Sequence, residues 1–474
     1  MSTVIRFGTD GWRAIIAEDY TFDNVRRCTQ AVVDQLRSVG MAERGIVVGY
    51  DTRFASEDFA SAAAEVIAGN GFRCYLCDKA TPTPVISFSI LKQGAGGGIT
   101  ITASHNPAVY NGFKVRSHYG GAAAPETIAE IERRLDRIDI SHVKRLSVEK
   151  GKEAGLVRVF DPAPDYIAHL SSIVDFDRIR RADIKVVQDA MYGTGAGWFP
   201  RLLEGGNIRV QEIDAERNPS FPGISPEPIP RNLQKLFRVT RETGADVGLA
   251  TDGDADRLGV CDEHGDFIDQ LRVYSLLVLY ALEVRGWRGP IVKTVSTSSM
   301  IDRLGQIYGV PVYETAVGFK YVAPKMLETD AVIGGEESGG YAFRGHIPER
   351  DGILAGLYIL DMMVQLDCKP SQLVEYLFSK VGPHYYGRVD TAFPAERREE
   401  MLKRMRTEVP STVAGVGVVT VNTLDGFKYV LSDGSWLLIR FSGTEPIMRI
   451  YAEAPSPERV EAILQSGRAV AGLA

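Results

Sequence analysis

The strongest constraint on this chain is an alternation of helix and strand that runs its course and then restarts twice. Residues 23–39 repeat apolar side chains at helical spacing, and Thr21 or Asp23 can cap the first turn. Residues 46–50 read as a short apolar strand. Residues 56–69 read as a helix closed by Gly69-Asn70-Gly71, and 72–77 as a strand before the breaker Thr81-Pro82-Thr83-Pro84. Residues 97–102 form a strand that runs into a polar loop. The pattern resumes with a helix over 162–175, a strand over 184–189, a glycine-rich turn at 191–197 leading into a helix, a helix over 231–243 and a strand over 246–250. A third round predicts helices over 270–285 and 298–308 and strands over 291–295 and 331–335. Such alternation builds mostly parallel sheets covered by helices. The last block departs from it. A helix over 395–409, strand-like runs at 416–420, 427–431, 436–441 and 448–453, a turn at Asp433-Gly434 and a closing helix over 457–472 predict an α+β unit. The expected fold is three consecutive α/β domains with mixed, mostly parallel sheets, then an α+β domain entered near Val381-Gly382-Pro383.

Composition narrows the function. At roughly 150 residues per domain, 474 residues predict about three domains and allow four. With 45% hydrophobic and 24% charged residues, a disordered, collagen-like or coiled-coil chain is excluded. The formal charge of −7 argues against a nucleic-acid partner, and an anionic substrate would need locally concentrated positive charge. The apolar stretches 274–284 and 354–366 fall short of the ~20 residues that span a bilayer. Asp361 interrupts the second, so both predict buried helices and no membrane partner. The polar residues 1–10 do not read as a secretory signal, and five scattered cysteines suit a reducing cytoplasm. Cys74 and Cys77, three apart on a strand, point to opposite faces, which argues against a redox or zinc pair.

Five motifs carry chemistry. Thr102-Ala103-Ser104-His105-Asn106-Pro107 follows a strand, where open α/β sheets bind ligands. Ser104 can act as a nucleophile or carry a phosphoryl group there, although Ser-His-Asn-Pro also suits a plain capped turn. Asp252-Gly253-Asp254-Ala255-Asp256-Arg257 places three carboxylates at alternate positions of a tight loop, where they would repel without a hard cation such as Mg2+. An EF-hand using Asp252, Asp254, Asp256 and Glu263 is the rival. Its sixth position should be glycine and is Arg257, and residues 258–261 alternate like a strand. A solvated acidic turn is the bland alternative. Gly334-Gly335-Glu336-Glu337-Ser338-Gly339-Gly340 offers carboxylate and hydroxyl to sugar hydroxyls, or is simply a mobile loop. Arg440-Phe441-Ser442-Gly443-Thr444-Glu445-Pro446, with Arg449, is an anion cradle or a surface β-turn. Phe7-Gly8-Thr9-Asp10-Gly11-Trp12-Arg13 and Asn111-Gly112-Phe113-Lys114 bring Arg13 and Lys114, which with Arg257 supply the local positive charge.

In this order the motifs resemble the α-D-phosphohexomutase family, and the resemblance runs from Phe7 to Arg449. It implies four domains around a central cleft, divided as 1–150 with a phosphoserine loop, 151–258 with a metal loop, 259–380 with a sugar-recognition loop and 381–474 with a phosphate-binding loop. It implies an enzyme that stores a phosphoryl group on Ser104, with Mg2+ between that group and Asp252, Asp254 and Asp256. The phosphoryl moves to a hexose monophosphate. The resulting bisphosphate reorients, and its other phosphoryl returns to Ser104, with metal and arginine charge stabilising the group in transit. His105 and Lys114 are the candidates for proton transfer or phosphoryl stabilisation. Arg440, Ser442, Gly443, Thr444 and Arg449 would hold the non-reacting phosphate, and Lys320 and His346 lie where relatives place sugar or phosphate contacts.

For the sugar, Glu336-Glu337-Ser338 is similar to glucose-preferring members, and Gly340 replaces the histidine of dual-specificity and glucosamine members. The aromatic residue that follows the serine in many glucose enzymes is absent too, with Gly339 in its place. Glucose 1-phosphate and glucose 6-phosphate are the expected pair, with glucose 1,6-bisphosphate as intermediate and activator, mannose phosphates as runner-up and glucosamine phosphates third. The chain is expected to act as a monomer or homodimer. Two other classes fit parts of the pattern: a phosphatase using the same serine and metal, and a non-catalytic Ca2+-binding or sugar-sensing protein.

Overall fold

The computed structural model describes residues 4–441 and 447–473. Four sheets follow one another along the chain. The first runs in the order Trp12–Ile15, Tyr110–Ser117, Gly97–Ile101, Ile46–Tyr50, Cys74–Cys77, Val157–Phe160. Its last four strands pair in parallel and the first two antiparallel, the mixed sheet expected. The second sheet orders Phe267–Ile268, Leu258–Cys261, Val247–Thr251, Lys185–Asp189, Arg209–Ile213, and the third Val312–Thr315, Ile291–Thr294, Ile333–Gly335, Tyr341–Phe343. The fourth is an antiparallel sheet with Tyr385–Ala392 at one edge, beside Ile447–Ala454, and Thr412–Val413 at the other, carrying the helix Pro457–Val470. Helices form where the apolar spacing predicts them. Phe22–Ser38 buries Val25, Cys28, Val32 and Leu36 along one stripe, and the Thr21 side chain accepts from the Asn24 amide to cap it.

Several elements escape the pattern. The Thr81–Pro84 segment opens a helix, Thr83–Gln93, because Pro84 sits in the first turn, where a missing N–H costs nothing. Tyr110–Ser117 is a strand that the alternation does not predict, with Gly112 inside it. Phe319–Thr329 is a helix despite Pro324 within it. Pro370–Val381 and Tyr385–Ala392 also emerge only in three dimensions. Leu258–Cys261 is a strand but does not alternate, since all four residues are buried. The helix starting at Gln270 ends as a regular α-helix at Leu279 and continues as a π-turn, Tyr280–Val284. The breaks expected at 150/151 and 258/259 both cut across sheets. Val157–Phe160 pairs with Cys74–Cys77, and Leu258–Cys261 pairs back onto Val247–Thr251.

The second and third sheets share one hydrophobic core, which runs from Ala163 to Val381 and also takes in Val85 of the helix Thr83–Gln93. At its centre lies Gly352–Leu366, a helix buried on nearly every face. Its one internal charge, Asp361, is fully paired: Arg178 donates at 2.7 and 3.1 Å, Tyr280 at 2.5 Å and Gln365 at 2.7 Å. Among the described residues no helix is long and apolar enough to cross a membrane. All five cysteines are free thiols, and burial raises those of Cys74 and Cys77. Because this helix supports both neighbouring sheets, Leu360→Ala should lower the unfolding free energy by about 2–5 kcal/mol, read by denaturant titration.

Candidate active site

Three sheets deliver a loop each from a strand's C-terminal end to the same place. The serine loop leaves Gly97–Ile101, the aspartate loop leaves Val247–Thr251 and the Glu336 loop leaves Ile333–Gly335. Ser104 and Ala255 both hold left-handed backbone, with φ of 51° and 57°, at a cost of about 1–3 kcal/mol each. The serine loop withstands this because the buried Arg53 guanidinium binds four of its carbonyls: Ser104 (2.7 Å), Asn106 (2.6 Å), Pro107 (2.9 Å) and Tyr110 (3.0 Å). Asp51 pairs with Arg53 at 3.2 Å. Gly253 must be small for another reason, since a Cβ there would lie 2.5 Å from the Ser104 carbonyl oxygen. The two loops thus touch through backbone, and the Ser104 hydroxyl donates to Asp252 Oδ2 at 2.7 Å.

Asp252, Asp254 and Asp256 are fully buried, and one ligand oxygen of each lies within 4.8 Å of the others. Asp252 is engaged on both oxygens, Asp254 and Asp256 on one each. Asp252 Oδ1 accepts from the amides of Asp256 and Arg257, at 3.0 and 3.1 Å. Asp254 Oδ2 accepts from Lys114 at 2.8 Å and from Thr83 at 2.6 Å. Asp256 Oδ2 accepts from Arg350 at 2.6 Å and lies 3.4 Å from Lys114. The other oxygens of Asp254 and Asp256, both Oδ1, have no hydrogen-bond partner among the described residues. Buried carboxylate oxygens without donors are costly, and a hard divalent cation between them would satisfy them. The donor set therefore fits Mg2+ or a similar ion. It does not fit an EF-hand, because residues 258–261 form a strand and Glu263 is engaged with Ser371 at 2.5 Å.

The electrostatics follow from this crowding. Burial, then Asp256 and Asp254, push the Asp252 carboxyl well above the usual range. Burial also opposes charge on Asp254, but Lys114, assisted by Thr83, outweighs it and the pKa falls. Lys114 is desolvated too, yet Asp10, Asp254 and Asp256 hold its ammonium charged. His105 is driven well below the ordinary imidazole value by burial and then by Arg257, Arg13, Lys114 and Arg350, and its Nδ1 lies 3.3 Å from Ser104 Oγ.

Other candidates join this centre to different degrees. Arg13 donates to Asn106 in the serine loop at 2.8 Å, and Arg257 stands 3.9 Å from Asp256 and 3.7 Å from Glu227. Glu336 is buried, its carboxyl raised by burial against the pull of Arg350 and Arg257. Ser338 Oγ is buried and has no partner among the described residues. Glu337 is taken by the fourth sheet, accepting from Tyr386 at 2.8 Å and lying 3.4 Å from Arg388. Lys320 lines a cleft of about 200 Å³ with Thr9, Asp10 and Glu132. Arg440 and Arg449 face each other on paired strands. Arg440 donates at 2.7 Å to Asp425, which also accepts from the Val317 amide at 2.9 Å. Ser442, Gly443 and Thr444 lie outside the described residues.

His346 does not belong with the others. Its side chain is buried, with one ring nitrogen 2.8 Å from Asp351 and the other 2.9 Å from His169, and the ring stacks with His169. Both nitrogens are occupied by the protein, so none is left for a ligand. Conversely, sequence reasoning missed Arg53, Thr83, Asp10 and Arg350. Asp10 stood inside a recognised glycine motif. Arg350 precedes Asp351, the N-cap of Gly352–Leu366, with nothing in its neighbourhood to mark it.

Family models described as phosphoglucomutase/phosphomannomutase alpha/beta/alpha domains I, II and III match residues 4–141, 164–265 and 272–381, and the C-terminal domain model matches 401–468. A phosphoglucomutase/phosphomannomutase of Thermococcus kodakarensis is 33% identical over 462 residues, 97% of each chain. A candidate phosphoglucosamine mutase of Methanothermobacter thermautotrophicus is 32% identical, covering 98% of this chain and 96% of that one. The crystal structure of a candidate phosphomannomutase from Thermus thermophilus superposes over all of both chains with a TM-score of 0.86 and 34% identity. Sheets, loops and matches define one class, the four-domain phosphohexomutases. The chain belongs to the phosphoglucomutase/phosphomannomutase family and is an isomerase of hexose phosphates.

If the free oxygens of Asp254 and Asp256 hold a divalent cation, Asp254→Asn should weaken Mn2+ binding by about tenfold or more in calorimetry without any sugar. Unchanged affinity would place the metal elsewhere.

Proposed function

We propose that this mutase interconverts glucose 1-phosphate and glucose 6-phosphate through a phosphoserine at Ser104 and a glucose 1,6-bisphosphate intermediate. The observation that carries the reading is the contact of the Ser104 hydroxyl with Asp252, inside a buried triad whose remaining oxygens are free. Mg2+ held by Asp252, Asp254 and Asp256 would neutralise negative charge on a phosphoryl group at Ser104.

The chain's own residues supply the rest. Arg53 and Thr102 hold the serine loop, so the position of Oγ is set before substrate arrives. The substrate's free hydroxyl takes the phosphoryl group, the bond from phosphorus to Ser104 Oγ breaks, and the hydroxyl gives up its proton. His105, whose Nδ1 lies 3.3 Å from Oγ, is assigned to relay that proton to the departing Ser104 oxygen. Lys114 lies among Asp10, Asp254 and Asp256 and contributes fixed positive charge beside the reacting group. Arg13 and Arg257 are assigned to the same electrostatic role. Glu336 and Ser338 receive the sugar hydroxyls, while Lys320, Arg440, Ser442, Gly443, Thr444 and Arg449 hold the non-reacting phosphate. The preference for glucose rests on Glu336-Glu337-Ser338 and on Gly340 in place of histidine. Mannose phosphates are the second reading, favoured by the name of the Thermococcus relative.

Side-by-side assays on glucose, mannose and glucosamine 1-phosphates should give the highest kcat/KM for glucose, and a higher value for either other sugar would contradict the assignment. Ser104→Ala should reduce mutase kcat/KM by about a thousandfold or more, and full activity would exclude the phosphoserine route. Glu336→Ala should raise KM by about tenfold while thermal unfolding shifts little. Normal KM would move sugar recognition to other residues.

A further inference from the structure

We propose that Arg350 is a positioning residue that couples the aspartate loop to the sugar loop, and that glycine stands at position 340 because the Arg350 side chain fills that space. The inference rests on the sugar-loop reading of Glu336 and goes beyond it. Arg350 is buried at 4% exposure, and its guanidinium reaches carboxylates from four separate places in the chain. Nη2 donates to Asp10 at 2.5 Å and to Asp256 at 2.6 Å, Nη1 lies 3.5 Å from Glu336, and Nε lies 3.5 Å from Glu349. The Arg350 amide donates to Glu349 at 3.0 Å, and Glu349 pairs with the buried Arg116. The guanidinium carbon lies 5.6 Å from the centre of the Phe319 ring, next to Lys320. One planar cation therefore spans the N-terminal loop, the metal loop and the sugar loop, and a rigid fork is the shape that can do so.

Gly340 completes the arrangement. A Cβ there would lie 2.1 Å from Arg350 Cδ and 2.6 Å from Cγ. The backbone of Gly340 is not in the left-handed region, so the glycine is needed for room and not for conformation. Any side chain at 340 must displace Arg350 and with it the tie between Asp256 and Glu336. Arg350 touches neither Ser104 nor the free aspartate oxygens, and it acts through the carboxylates it holds.

This makes a prediction with opposite signs. Taking the cation away from Asp256 removes a nearby positive charge that repels divalent metal, while it releases Glu336 from its place. Arg350→Ala and Gly340→Ala should each tighten Mn2+ binding by about threefold or more in sugar-free calorimetry. Each should also raise KM for the hexose phosphate by about tenfold, more than either changes kcat. Arg350→Lys should restore Mn2+ affinity but not KM, because a single ammonium cannot span both loops. The double variant Gly340→Ala/Arg350→Ala should match Arg350→Ala within about twofold, since the two changes act on one side chain. If Arg350→Ala fails to fold, Gly340→Ala, which removes no charge, decides. Parallel weakening of Mn2+ and sugar binding, no change in either, or additive losses in the double variant would overturn the proposal. KM is compared within whichever sugar the wild type prefers. A preference for mannose would therefore sink the glucose assignment and leave this test intact.

Discussion

Everything at this centre depends on how three buried aspartates are crowded together on one loop. At an effective dielectric near 20, two like charges 4 Å apart repel by about 4 kcal/mol, and burial adds its own penalty. The protein counters with cations and amides, but not at every oxygen. Lys114 and Arg350 engage the Oδ2 atoms of Asp254 and Asp256, and backbone amides engage Asp252. Oδ1 of Asp254 and Oδ1 of Asp256 are left without a hydrogen bond among the described residues, and Asp252 Oδ2 takes the Ser104 hydroxyl. An acidic protein thus gathers Lys114, Arg257 and Arg350 around its aspartate cluster.

The scaffold distributes rigidity accordingly. The aspartate and Glu336 loops spring from sheets that share a single core, built on Gly352–Leu366, so their spacing is set by packing. The fourth sheet has its own core around Phe427, Leu437, Ile450 and Ile463. It meets the rest through polar pairs, Glu337 with Tyr386, Asp425 with the Val317 amide and Lys428 with Glu314, and through a small apolar patch of Val295, Trp436, Leu438 and Tyr451.

Sequence made the α/β rhythm, the α+β ending and the serine and aspartate loops legible, because each rests on short-range signals: apolar period, strand ends, closely spaced like charges. Elements that override their local signal were hidden. Pro84 reads as a breaker until its place in a first turn is seen, and Tyr110–Ser117 carries a glycine within a strand that is buried by its neighbours. Long-range pairing was hidden for the same reason. Arg53, which holds the serine loop from more than fifty residues away, and Arg350, which meets Asp10 across almost the whole chain, have no local signature. His346 is the converse case, an attractive position by resemblance whose two nitrogens are spent on Asp351 and His169.

The most direct test of the central claim is to find where phosphorus resides on the enzyme. Incubation of the intact protein with glucose 1,6-bisphosphate and Mg2+, followed by peptide mass mapping, should show one phosphoryl group, on the peptide bearing Ser104, and glucose 6-phosphate added afterwards should remove it. An enzyme that turns over fully while remaining unphosphorylated, or that carries the group on another residue, would contradict the account.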